Sequence, residues 1–436
     1  MKTYKSIIFS GTITLIVAGL ITRVLGFYYR IFLSSNIGAE GMGLYQMIFP
    51  IYILCMSISS SGIQLAICEQ VSKDETKANS TLLSGLLISL PISLICSLVL
   101  IFGGKYIAFS FLNEPRCGHL LAILALCVPF ATIHNCINGY FLGKQNAFIP
   151  GMTQLTEQFG RIIIVFIILT FLNPFISHNV TSLSKIAVVG LLAGEILSTV
   201  FSIIALFCSK DRLSFTHKLS LKKRNSKLLH IATPVTLTNV SLSIIHSIEA
   251  SAIPFFLLKS GLSRADSIST YGILTAMAIP FIMFPSTITC AVAKMLLPVI
   301  SKAKSQNNYE RISLLASNTL KYCTVFGILC SAFFVIFGKF IGVFFFNSPT
   351  AGEFITILAW LCPFIFISST LGSILNGLGL TKKTFIHNII SAFIRLGFIV
   401  LFIPVLGIKG YLWGLLASEL ACALLHTISV VKYLNT

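Results

Sequence analysis

The sequence predicts an all-α polytopic membrane protein of about twelve transmembrane helices, arranged as two parallel six-helix repeats. Three observations carry this. Of the 436 residues, 56% are hydrophobic and only 10% charged, against about 25% charged in a soluble globular domain. Apolar runs of the ~20 residues that a bilayer crossing requires recur along the whole chain. Segments of the two halves also resemble one another at a shared offset.

The runs lie near 7–33, 43–68, 80–103, 118–142, 147–172, 185–208, 229–258, 268–298, 314–338, 352–378, 384–404 and 409–431. The first, beginning at Ser6 and reaching Leu33, is too long for a cleaved signal peptide and reads as a retained span. Lys and Arg concentrate on one set of connections, which include Lys73, Lys77, Lys144, Lys302, Lys304, Lys382 and Lys383. Basic loops stay on the cytoplasmic side, so both termini are expected to be cytoplasmic. The densest cluster, within 209–228, divides an N-terminal lobe (1–208) from a C-terminal lobe (229–436) as a basic linker.

The halves match in three places. INGYFLGKQNAF (137–148) resembles LNGLGLTKKTF (375–385), LAILALCVPF (121–130) resembles ITILAWLCPF (355–364), and 50–73 resembles 280–302 more loosely. The offsets all fall within about 230–238 residues. An even number of spans per half makes the repeats parallel, related by an axis along the membrane normal.

The net charge of +18 fits basic loops facing anionic lipid better than nucleic acid. The twelve cysteines form no CxxC pair or Cys/His cluster with metal-ligand spacing. No disulfide and no metal is expected, and Cys117 is the thiol expected to reach the outside. Neither a phosphate-binding GxxxxGK[ST], a nucleophile elbow nor HExxH is present. The chain reads as a transporter rather than an enzyme, with no cofactor, driven by a gradient or the membrane potential.

Charge inside a bilayer is costly and marks function. Arg23 and Arg30, seven residues apart, share nearly one face of the first span. Arg23 is deep and reads as lining a hydrated cavity, while Arg30 reads equally as a ligand or an interfacial anchor. The fifth span carries Gln154, Glu157, Gln158 and Arg161 as one polar stripe, with Glu157 and Arg161 at ion-pair spacing. This is either a cavity wall or a pair that locks helix packing. The eleventh span presents His387, Asn388, Ser391 and Arg395 on a similar face, so each half offers an arginine from equivalent helices. On the seventh span Asn239, His246 and Glu249 are candidates for the cavity, with His246 and Glu249 spaced to handle a proton. His134, Asn135, Asn138, Glu195 and Glu419 read more weakly, as packing hydrogen bonds.

The stretch RVLGFYYRIFLSSNIGAEGMGLYQMIFPIY (23–52) resembles the signature of the stage V sporulation protein B group. That group lies in the polysaccharide transporter branch of the multidrug/oligosaccharidyl-lipid/polysaccharide (MOP) exporter superfamily. TRVLGF (22–27) is also similar to the start of the lipid II flippases. The resemblance implies a MATE-like two-lobed fold in the bacterial cell membrane. It further implies flipping of undecaprenyl-pyrophosphate-linked sugar precursors, in the sporulation group those of spore cortex peptidoglycan, by alternating access. In the lipid II flippases first-span arginines line the cavity. Arg23 matches one of them, and a second falls on Tyr29, one residue before Arg30. The expected partners are a lipid-linked oligosaccharide, membrane lipids, H+ or Na+ as coupling ion, and cell-wall synthesis machinery. Arg23, Arg161, Arg395 and Arg30 would contact the pyrophosphate. A cation-coupled multidrug exporter and a non-transport scaffold are the competing readings.

Overall fold

The computed structural model describes residues 2–171, 179–209 and 221–434, and among these every regular element is helical. The first half contains α1 (Lys2–Met56), α2 (Gly62–Lys73), α3 (Ala78–Tyr106), α4 (Cys117–Gly143), α5 (Phe148–Phe171) and α6 (Val180–Cys208). The second contains α7 (Leu221–Lys259), α8 (Arg264–Gly272), α9 (Ile279–Met283), α10 (Ser286–Ser305), α11 (Tyr309–Phe346), α12 (Pro349–Leu358), α13 (Cys362–Gly377), α14 (Thr381–Leu406) and α15 (Ile408–Leu434).

The described residues hold 12 helices long and apolar enough to cross a membrane, but the partition differs from the sequence expectation in two places. Val17–Lys73 is one helical stretch of 57 residues, about 85 Å at 1.5 Å per residue, far beyond a hydrocarbon core of about 30 Å. Gly38 (φ 71°, ψ 174°) bends it, a conformation glycine alone adopts cheaply, so the stretch makes two crossings. Conversely, the run expected as one span over 268–298 is divided into Arg264–Met283 and Ser286–Ser305. Pro285 sits in the break; it lacks an N–H and crowds the preceding turn. Counted as two crossings and one broken crossing, these restore six before and six after the basic stretch.

Helical contacts divide the chain into two compact units, Met1–Ser251 and Ala252–Thr436. The boundary lies inside α7, later than the linker expected at 209–228. Residues 210–220 of that linker, with Lys210, Arg212 and Lys218, lie outside the described residues, and from Leu221 the chain is already helical.

In the first unit α3 packs on α4, α5 on α6, and α4 on both α2 and α6. Ile63, Ile67, Leu82, Tyr140, Phe141 and Leu228 form a buried cluster, and the Tyr140 hydroxyl donates to Asn79 Oδ1 at 2.8 Å. In the second unit α11 packs on α12 and α13, α14 on α15, and α13 on both α10 and α15. The two patterns are the same.

Matching contacts confirm the repeat at atomic detail. Ser97 Oγ donates to the Ala125 carbonyl at 2.8 Å, and Ser331 Oγ donates to the Ala359 carbonyl at 2.7 Å. The repeated segments each carry an Asn–Gly pair at a close backbone approach. A Cβ on Gly139 would lie 2.5 Å from the Gln64 carbonyl oxygen, and one on Gly377 2.9 Å from that of Leu297. Each glycine lets the fourth crossing of its unit touch the backbone of the second.

All twelve cysteines are free thiols. Cys117 is buried and Cys208 is the exposed one, the reverse of the expectation for Cys117. The cause is the turn before α4: Glu114, itself 2% exposed, draws in Arg116 at 2.7 Å, and Arg116 reaches Glu40 at 2.8 Å. The hydrogen bonds to Glu114, then those to Glu40, hold the Arg116 guanidinium even more firmly charged than usual.

Candidate functional site

The first unit gathers its buried charge where α1, α4, α5 and α6 meet. α5 can approach α6 closely because Gly190 and Gly194 stand four apart on the facing surface. A Cβ on Gly194 would fall 2.6 Å from the Glu157 carbonyl oxygen, and one on Gly190 3.3 Å from that of Arg161. Small residues at this spacing let membrane helices touch backbone to backbone.

Arg161 Nη2 pairs with Glu157 Oε1 at 2.7 Å along the same helix. Arg30, Tyr29 and Tyr45 lie within Coulombic reach of Arg161 and of one another. α1 continues as a helix past Leu33 to the bend at Gly38, so Arg30 sits about 12 Å inside the helix end. It lies beside Arg161 and Tyr45. Tyr29 is 5% exposed, and its hydroxyl lacks a hydrogen-bond partner among the described residues, as do Arg161 Nε and Gln158 Nε2. Two guanidinium groups, two phenols and an open amide make a donor-rich environment, in which Glu157 offsets one of the two positive charges. Arg23, by contrast, lies on an exposed part of α1, and Gln154 is exposed on α5. The expected four-residue stripe therefore splits, with Glu157, Gln158 and Arg161 turned inward.

Beside the arginines is a second group that the sequence reading did not assemble. Glu195 Oε1 accepts from the Tyr52 hydroxyl at 2.7 Å, and its Oε2 lies 2.8 Å from His134 Nε2. His134 Nδ1 has no partner among the described residues. The ligand atoms of His134, Glu157 and Glu195 all lie within 4.8 Å of one another. Two carboxylates this close in a low-dielectric interior repel strongly unless a cation or a proton joins them. Arg161 pairs with Glu157; Glu195 has His134 and Tyr52.

The second unit carries a related constellation. GLLASE (414–419) repeats GLLAGE (190–195), which makes Glu419 the counterpart of Glu195, a match overlooked in the sequence reading. Arg395 Nη1 lies 3.8 Å from Glu419 Oε1, and Ser368 Oγ donates to Glu419 Oε2 at 3.2 Å. At the repeat offset Ser391 stands where Glu157 stands and Ser368 where His134 stands. The arginine of the second unit thus takes the glutamate that the first unit leaves to histidine.

The remaining expected residues are placed as follows. Asn239 Nδ2 donates to Ser61 Oγ at 3.2 Å. His246 is exposed, and its Nδ1 stands 3.4 Å from Oε2 of the buried Glu249, a long contact for a proton-handling pair. Asn388 accepts a thiol hydrogen bond from Cys422 at 3.6 Å. His387 is buried against His426, with ring centroids 5.1 Å apart.

Solved structures share this fold. An inward-facing multidrug resistance MATE family transporter of the MOP superfamily superposes with a TM-score of 0.76 at 15% identity, over 95% of this chain and 94% of that one. A MOP superfamily transporter from Pyrococcus furiosus gives 0.68 at 17%, over 99% and 96%. The fold is that of a MATE-type membrane transporter. The polysaccharide biosynthesis protein family matches residues 8–304 and MatE residues 251–401, and the chain belongs to the former, within the MOP superfamily. Stage V sporulation protein B of Bacillus subtilis is 26% identical over 99% of this chain and 85% of its own length. Lipid II flippase MurJ of the same organism is 23% identical over 97% and 82%.

Proposed function

We propose that this transporter is a flippase for an undecaprenyl-pyrophosphate-linked sugar precursor, lipid II or a related intermediate of cell-wall or spore-cortex peptidoglycan. It acts by alternating access in the bacterial cell membrane, with both termini cytoplasmic. The observation that carries the reading is the cluster of Arg30, Arg161, Tyr29 and Tyr45 in the first unit. Guanidinium groups bind phosphate oxygens bidentately, and the open Tyr29, Arg161 and Gln158 groups supply further donors. The polyprenyl tail remains in lipid.

In this reading the coupling ion is a proton, shared between Glu195 and His134. Protonation there adds one positive charge next to Arg161, which favours an anionic head group; its release favours dissociation. Reconstituted vesicles test the proposal directly. Flipping of lipid II over a neutral polyprenol-linked sugar supports it, and equal handling of both refutes it.

One observation favours a second reading. The buried carboxylates Glu157 and Glu195 would also suit an organic cation, as in a multidrug exporter. A resistance assay in an exporter-deficient host separates the two, since the flippase confers no resistance.

A further inference from the structure

In the second unit α14 and α15 bring two histidines together, with Ser368 standing between His426 and Glu419. His426 is 2% exposed and His387 8%. His426 Nδ1 lies 3.1 Å from the Ser368 carbonyl oxygen. A carbonyl only accepts, so Nδ1 carries the proton and Nε2 presents a lone pair. That Nε2 has no partner among the described residues, and neither has His387 Nδ1. The other ring nitrogen of His387, Nε2, meets Ser429 Oγ at 3.4 Å, and with Nε2–H donating to the hydroxyl, Nδ1 is a second lone pair. Thr384 Oγ1, one helical turn before His387, is a third buried oxygen or nitrogen without a partner. The His426 ring packs against Gly372, where a Cβ would come within 3.3 Å of His426 Cε1.

We propose that His387 and His426 form a binding site for a borderline divalent transition-metal cation of the Zn2+ type, with the Thr384 hydroxyl or water completing the coordination. Three features fit that chemistry. Neutral imidazole suits Zn2+ and its neighbours in the series, not hard cations such as Mg2+. Metal-bound histidines donate their second ring N–H to a carbonyl or hydroxyl, which fixes the tautomer; Ser368 and Ser429 occupy those places. Two imidazoles bound at about 2.0–2.1 Å in adjacent tetrahedral positions have ring centroids about 5 Å apart, and the observed separation is 5.1 Å at an interplanar angle of 51°. Thr381, Lys382 and Lys383 at the start of α14 are exposed, so the site lies less than two turns from a solvent-facing helix end. A bound ion would join α14 to α15 beside α13.

The test is direct metal binding by the purified full-length protein in detergent, stripped with chelator and titrated with Zn2+ and, for its visible spectrum, Co2+. The expected result is one equivalent bound that is lost, with affinity falling at least tenfold, in both His387→Ala and His426→Ala. The bound Co2+ should show the intense d–d absorption of a tetrahedral site. His119→Ala, which removes an exposed histidine, should retain it. A His134→Ala background removes the other buried histidine among the described residues from competition and should also retain it. Size-exclusion profiles establish folding, and His387→Gln provides a milder variant if the alanine forms collapse. Absence of stoichiometric binding, or binding indifferent to both histidines, would overturn the proposal and assign the open nitrogens to buried water. Because the readout is metal rather than transport, its outcome is independent of the flippase reading.

Discussion

Glu195 stands 2.8 Å from His134, whereas its repeat counterpart Glu419 faces Arg395 at 3.8 Å. Duplication placed an arginine and a glutamate at matching positions in both units, and Glu157 changed the balance in the first. With Glu157 on Arg161 at 2.7 Å, Glu195 is left to His134 and Tyr52. In the second unit Arg395 faces Glu419 directly, and Ser368 donates to the same carboxylate.

That difference predicts where pH sensitivity resides. Glu195→Gln preserves an acceptor for Tyr52 and removes the carboxylate, so flipping in vesicles should lose its dependence on an imposed pH gradient. Glu419→Gln should keep it. A gradient-dependent Glu195→Gln protein would reject proton coupling at this position.

Arg161→Ala should reduce flipping at least tenfold. It also strands Glu157 in the interior, and breaking a buried pair costs about 3–5 kcal/mol. The double variant Arg161→Ala/Glu157→Gln should regain thermal stability in detergent without regaining transport, which separates binding from folding.

The two first-span arginines can be told apart by paired substitutions. Arg30→Ala removes a guanidinium beside Arg161 and should lower lipid II flipping at least tenfold. Arg23→Ala, on an exposed part of α1, should have a smaller effect on the same assay at equal membrane abundance.

The close approach at Gly139 makes a stability prediction. Gly139→Ala forces a Cβ to within 2.5 Å of the Gln64 carbonyl oxygen, backbone that cannot swing aside. Overpacking of this kind costs about 1–3 kcal/mol, and the melting temperature in detergent should fall. Gly103→Ala, with nothing within 4 Å of the new methyl, should leave it unchanged.

Arg116→Ala should also destabilise the first unit, since it releases Glu40 and leaves Glu114, 2% exposed, without its cation. The side chain of Arg116 is 33% exposed, so solvent softens the loss to about 1–3 kcal/mol. Arg116→Lys should recover part of it, because lysine keeps the charge and loses the fork.

Hydropathy and repeat spacing determined the class of this protein, the number of crossings, the duplication, and the Arg161 and Arg395 pair. These follow from local rules: a bilayer demands long apolar helices, and a duplicated sequence keeps its offset. What tertiary structure decided was which polar groups meet. His134, Tyr52 and Glu195 come from three helices far apart in sequence, and no periodicity within one helix announces a contact between them. That Arg30 comes near Arg161 and Tyr45 while Arg23 is exposed depends on how α1 packs against α5, which composition leaves open. The His387–His426 pair likewise exists only because α14 and α15 pack side by side, setting one end of each helix against the other.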